Sequence, residues 1–443
     1  MHFVDRLLEP PSGATPTERH NFRVAYRESA LIGFIAAAST FLPVFVARLG
    51  GSNLQVSLIT ALPSLTGVIL AIPLGGMIQS RRNIIPWYSR GRLGNQLGYV
   101  AIAIAAFVLP RDLVVPGVLA VWAIVTVFSV VTSVSFAVVM DATAGDRGRY
   151  ELMSRRWSIL GLMNALSLVL VGQALGWLPF PTNYQVVFAG LGLLGLVAFR
   201  YARAIRVPDH PPSRRAPGAP LYATLTDLVN RVRGQPAFLA FTARHFLYAI
   251  GTSIAVPLVP LFYVRVIGAP DAWIGIIGTT QALMLLVGYA VWRRASRLRG
   301  SRFVLVWATL GAALAPGALS LTRDVAVAAA IAGVGAVFAA GVNLAIFDRM
   351  MSIVPRGYGV TFTSVDTSVV YLAGIIGPLV AAILADNIGL AAALALASMA
   401  IFVGALLFAI DRSPAGSTPA TTGSGPTAPA GEGPAAGVPG AVP

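Results

Sequence analysis

Four ionisable residues of this chain lie inside or against long apolar stretches, where they invite a chemical reading: Glu28, Arg244, His245 and Asp366. A charge at the centre of a membrane helix costs about 2.5–3.5 kcal/mol on insertion scales, so such residues mark ion pathways, proton relays or structural pairs. Asp366 is the clearest case. It sits in Thr361–Tyr371 among Thr363, Ser364, Thr367 and Ser368, about two turns into its apolar run. A carboxylate there suits proton or cation coupling, and it equally suits an ion pair with Arg244 at similar depth. Arg244 and His245 read as a site for an anionic cargo, as a proton relay, or as an arginine snorkelling to the interface. Glu28 opens the first apolar run beside Arg27 and is expected at the membrane interface.

No catalytic constellation accompanies these residues. The 443 residues contain no cysteine, so neither disulfides nor thiolate chemistry are available. All 32 basic residues are arginine, which leaves no lysine for a nucleotide-binding P-loop. His2, His20, His210 and His245 are followed by Phe3, Asn21, Pro211 and Phe246, which excludes the His-Glu-x-x-His zinc pattern. No enzyme activity, cofactor or metal is expected.

The elements that must hold the four residues are membrane helices. The chain is 56% apolar and 11% charged, with a mean hydropathy of +0.76; a water-soluble surface needs more charge than that. Apolar runs long enough to cross about 30 Å of hydrocarbon recur throughout. Ala, Leu and Gly dominate them without period-2 alternation, so helices are expected, not barrel strands. Twelve spans are expected, near 30–48, 55–78, 93–110, 113–139, 157–178, 185–203, 238–264, 273–292, 303–321, 325–347, 360–384 and 388–410. No cleavable signal peptide is expected, because a charged, proline-containing leader precedes the first run.

Arginine alternates between the loops. One side carries clusters such as Arg81, Arg82, Arg90 and Arg92, or Arg293, Arg294, Arg297, Arg299 and Arg302; the other has only Arg48, Arg111, Arg265 and Arg323. The positive-inside rule then places both termini and the middle loop in the cytoplasm of a cell (inner or plasma) membrane protein. The net charge of +15 is thus an orientation signal. Nucleic-acid binding is not expected, since no soluble domain gathers the arginines on one surface.

Five segments follow: a cytoplasmic leader over 1–29, a helical half over 30–203, a linker over 204–237, a second half over 238–411 and a tail over 412–443. Prolines break the linker's start, and Leu221–Val232 is spaced as a short interfacial helix. The Pro/Gly/Ala/Ser/Thr tail is expected to be disordered. The halves repeat. Gly33, Val46 and Gly50 fall on Gly251, Val264 and Gly268 at one offset, 268 − 50 = 218. Arg147-Gly148 and Arg356-Gly357 each precede the fifth span of their half.

Over residues 20–411 this organisation resembles the major facilitator superfamily. The loop Gly75-Gly76-Met77-Ile78-Gln79-Ser80-Arg81-Arg82 is similar to its Gly-x-x-x-Asp-Arg-x-Gly-Arg-Arg signature, with Gln79 where the acidic residue is expected. The resemblance implies an all-α membrane fold of two pseudo-symmetric six-helix bundles around a central cavity. It implies a cytoplasmic gate near Gln79, Arg81, Arg82, Asp141, Arg147, Arg297, Asp348 and Arg356. It also implies a cavity lined by the first and fourth spans of each half, offering Thr40, Thr132, Ser133, Thr252 and Asn343, with Gln281 and Tyr371 nearby. Uncharged hydroxyls and amides suit a neutral or amphiphilic solute, although any one of them equally suits helix packing. The expected function is secondary transport by alternating access, with or without proton coupling, in a monomer whose partners are a small-molecule substrate and membrane lipids. A flippase-like handler of amphiphiles and an uncoupled facilitator are the alternatives.

Overall fold

A computed structural model describes residues 15–79, 81–207, 233–354 and 359–410, without the side chains of 76, 79, 137, 141, 144–151 and 359–361. The expected interfacial helix at Leu221–Val232, the tail and Arg356 lie outside the described residues. Among the described residues every regular element is helical. In chain order they are α1 (Pro16–Ile35), α2 (Ala37–Arg48), α3 (Asn53–Gln79), α4 (Ile85–Val108), α5 (Arg111–Ala174) and α6 (Thr182–Ala204). After the linker come α7 (Pro236–Phe262, prolonged by a π-turn over Tyr263–Ile267), α8 (Asp271–Arg299), α9 (Ser301–Leu321), α10 (Val325–Ile353), α11 (Gly359–Ile388) and α12 (Leu390–Ile410). Eleven segments are long and apolar enough to cross a membrane. The twelfth expected span, α4, has 24 residues, but Arg90, Arg92, Asn95 and Gln96 make its first half polar. The chain is a multi-pass membrane protein.

Three boundaries depart from the sequence reading. The first helix starts at Pro16, well before residue 30, because Thr15 and Glu18 form a reciprocal capping box and Pro16 opens the first turn. It bends at Ala36, where α1 gives way to α2. α4 starts at Ile85, not near 93. The loop expected between 139 and 157 is helical backbone, so α5 runs for 64 residues. It still doubles back. Straight, it would set Phe136 and Arg156 about 30 Å apart, yet the Arg156 guanidinium lies 4.6 Å from the Phe136 ring centroid. Residues 111–140 and 152–174 therefore act as two separate crossings.

Helix α4 packs on α5 and α6, α1 on α5 and α6, and α3 on α5. Further along, α7 packs on α11 and α12, α9 on α10 and α12, and α8 on α10. The two sets meet along α3–α11 and α5–α8. Between helices that bury mostly aliphatic surface, close approach depends on glycine. A Cβ on Gly33 would fall 2.4 Å from the Leu160 carbonyl oxygen of α5, and one on the repeat-equivalent Gly251 would fall 2.6 Å from the Ile401 nitrogen of α12. Gly33→Val is expected to destabilise the protein by about 1–3 kcal/mol, since backbone atoms must move. Gly161→Ala, whose Cβ meets nothing within 4 Å, is the control. Thermal unfolding of both variants in detergent decides the point, and equal melting temperatures would contradict this packing.

Candidate functional site

Three polar clusters interrupt the apolar interior. The first centres on Glu28 of α1, which is 0% exposed. The Tyr88 hydroxyl donates to its Oε1 at 2.6 Å, and Arg92 Nε approaches the same oxygen at 3.1 Å. Arg156 Nη2 stands 3.5 Å from Oε2. Arg156 is itself only 1% exposed and lies over Phe136 and near the Trp157 ring. α1 thus supplies one carboxylate, α4 a phenol and a guanidinium, and α5 a second guanidinium. Glu28, expected to open the first span, is buried inside the helix packing instead of opening the helix. The helix starts three turns before it, and α4 and α5 close over it.

The second cluster is Asp366 of α11 with His245 of α7. His245 Nδ1 lies 2.9 Å from Oδ1 and 3.1 Å from Oδ2, and both side chains are nearly buried at 12% and 9%. The carboxylate's hydrogen-bond partner is therefore the histidine beside Arg244, whereas the sequence reading sets Arg244 against it. Below the pair, Phe238 and Phe362 meet edge-on with centroids 4.7 Å apart.

These two clusters fall near corresponding places in the repeat, each one residue out of register. Glu28 maps to 28 + 218 = 246, one residue from His245. Across the fifth spans the offset is 356 − 147 = 209, so Arg156 maps to 156 + 209 = 365, one residue from Asp366. Acid and base have exchanged helices between the two halves of the chain.

The third cluster joins the halves at the arginine-poor face. Arg48, in the last turn of α2, donates to Asp271 Oδ1 at 2.9 Å and to the Ala269 carbonyl at 2.8 Å. Arg265, in the middle of the π-turn, donates to Asn53 Oδ1 at 2.6 Å and to the Gly51 carbonyl. The acceptors correspond under the repeat, because 51 + 218 = 269 and 53 + 218 = 271, while the arginines stand one residue out of register, since 48 + 218 = 266. Each arginine grips the carbonyl and then the helix-opening side chain of the opposite half. Tyr184 adds a 2.6 Å hydrogen bond to Asp271, and Asn53 donates to Asp386 at 2.7 Å. Gly50 and Gly268, with φ of 82° and 68°, give the left-handed turns that the two grips need. The Gly50–Gly268 match points to this place, but nothing in the sequence shows that the arginines cross over.

The other expected site residues disperse. Thr132 donates to the Phe128 carbonyl and packs against Gly91, a helix-packing role, and Thr252 donates to the Ala249 carbonyl. Asn343 reaches Tyr289 at 3.3 Å, and the Tyr371 ring fills the space left by Gly67 across α3–α11. Thr40 is half-buried; Ser133 and Gln281 are exposed. Arg81 stacks near Trp87, Arg82 is exposed, and Arg297 and Asp348 are exposed without an ion pair among the described residues. The side chains of Gln79, Asp141 and Arg147 lie outside the described residues. No group of His, Asp and Glu fit to hold a metal occurs among the described residues.

No family model and no curated protein matches the sequence. Solved structures do match its fold. A D-xylose–proton symporter superposes with a TM-score of 0.67 at 13% identity, covering 88% of this chain and 96% of its own. A bacterial homologue of the human lysosomal transporter Spinster, inward-facing and occupied, gives 0.65 at 14%, covering 90% and 96%. The nucleoside transporter NupG gives 0.65 at 11%, covering 88% and 99%. These similar structures are transporters, and the chain has their fold.

Proposed function

We propose that the chain is a secondary transporter of the cell (inner) membrane that moves a small neutral or amphiphilic solute by alternating access. Its two six-helix halves, over 30–203 and 238–411, rock about the α3–α11 and α5–α8 seams, with the arginine-rich face and both termini in the cytoplasm. The reciprocal Arg48 and Arg265 clasp carries this reading. It is made between the halves, its acceptors follow their repeat, and it would hold the arginine-poor face together, as an inward-facing state requires. Four donor–acceptor contacts at about 0.5–1.5 kcal/mol net each are enough to hold one state near 99:1 and few enough to release in turnover. The similar folds of a xylose symporter and a nucleoside transporter support a water-soluble cargo. The gate candidates, Arg81, Arg82 and Arg297 among them, would close the opposite face when the clasp opens.

The absence of native cysteine gives a clean test. In an Arg48→Cys/Asp271→Cys variant in proteoliposomes, a short reducible thiol cross-linker should abolish flux of radiolabelled D-xylose or uridine, and reduction should restore it. Undiminished flux through the cross-linked protein would sink the alternating-access reading. Flux of a fluorescent phospholipid with none of either solute would transfer the protein to the lipid-handling class.

A further inference from the structure

The corner where α1 and α6 meet at the arginine-rich face serves no step of transport, yet it is built with care. Reciprocal hydrogen bonds tie the two helix ends: Asn21 Nδ2 donates to the Arg206 carbonyl at 2.7 Å, and the Arg206 nitrogen donates back to Asn21 Oδ1 at 2.9 Å. His20 Nε2 lies 3.0 Å from the Ala204 carbonyl. Two adjoining open cavities flank this tie. One, of about 610 Å³, is lined by Leu196, Val197, Phe199, Arg200, Arg203 and Ala204. The other, of about 420 Å³, is lined by Pro16, Arg19, His20, Arg23, Val24 and Arg27. They share the His20–Ala204 contact.

Charge and level define the occupant. Arg19, Arg23 and Arg27 recur every four residues, so they form one stripe along α1. Arg200 and Arg203 lie three residues apart near the end of α6. Arg23, Arg27, Arg200 and Arg203 are exposed and make no ion pair or side-chain hydrogen bond among the described residues. Among the described residues the nearby acid, Glu18, is occupied in the capping box of α1. One turn below Arg200, exposed Leu196 and Val197 continue the wall into the hydrocarbon. A cradle with fixed guanidiniums above and aliphatic surface below matches a phosphate with acyl chains attached.

We propose that this corner binds the headgroup of an anionic phospholipid. The phosphodiester sits between Arg200, Arg203 and the α1 stripe, and an acyl chain lies along Leu196 and Val197. The bound lipid bridges the two helix ends that Asn21 already ties, so it stabilises the first helix against the sixth. The proposal rests on the membrane placement of the chain and not on its cargo.

Thermal unfolding of purified protein in neutral detergent tests it. Phosphatidylglycerol should raise the melting temperature by about 3 °C and phosphatidylcholine by less than about 1 °C, because binding to the folded state alone stabilises it. In Arg200→Gln/Arg203→Gln the difference between the two lipids should vanish. If that variant does not fold, Arg23→Gln/Arg27→Gln gives the same comparison, and native mass spectrometry should show wild-type protein keeping phosphatidylglycerol over phosphatidylcholine. Equal stabilisation by both lipids overturns the proposal. So does an equal effect of inorganic phosphate alone, or a preference that survives both pairs of substitutions. Failure of solute flux would leave these outcomes unaffected, so the two readings fall separately.

Discussion

Glu28→Ala is expected to destabilise the protein by about 3–5 kcal/mol, a large share of the net stability of an ordinary domain. The carboxylate is fully buried and faces two guanidiniums and a phenol, from two neighbouring helices. Removing it leaves Arg92 and Arg156 as like charges in a low-dielectric interior, with Arg156 only 1% exposed and unable to reach water. Breaking a buried pair is costly because of the charge left behind; replacing the whole pair with apolar groups is often neutral. The triple variant Glu28→Leu/Arg92→Met/Arg156→Met should therefore recover much of the stability that Glu28→Ala loses. Glu28→Gln should fall between, since it keeps the Tyr88 hydrogen bond and loses the charge. Melting temperature and monodispersity in detergent measure all three. If Glu28→Ala melts with the wild type, the cluster is not what fastens α1 to α4 and α5.

Much of the fold is legible in the sequence because the bilayer leaves few choices. Backbone groups without water must pair within each segment, so hydropathy alone locates the spans from α6 to α12 to within about two turns. Charge patterning misleads where it serves structure instead of topology. Arg90 and Arg92 read as loop residues, yet they ride on α4, and Arg92 turns inward to Glu28. Glu28 beside Arg27 reads as interfacial because sequence cannot show that α4 and α5 fold over one side of a helix. Asp366 stands out by its polar neighbours. Its partner does not, because Arg244 and His245 sit about 100° apart on α7, and only tertiary packing decides which faces α11. The clasp is half visible. The 218-residue offset aligns the glycines, but a repeat says nothing of contacts between its copies.

The exchange of acid and base between the halves argues where any proton coupling lies. In the first half the charged partners of Glu28 are two arginines, side chains that donate hydrogen bonds and accept none. In the second half the partner of the acid is His245, an imidazole that can give or take a proton at its ring nitrogens. The nearly buried His245–Asp366 contact is a polar bond between α7 and α11 that proton transfer at either group would alter. Under the proposed alternating access those helices would move, since α11 also lines the seam with α3. Asp366→Asn should therefore reduce solute accumulation driven by a pH gradient at least tenfold, while exchange of labelled for unlabelled solute without a gradient persists. His245→Gln should flatten the pH dependence of uptake, and Arg244→Gln should not. Accumulation that survives Asp366→Asn would make the pair a structural bond and the protein an uncoupled facilitator. Loss of exchange together with accumulation would place Asp366 in the path of the solute itself.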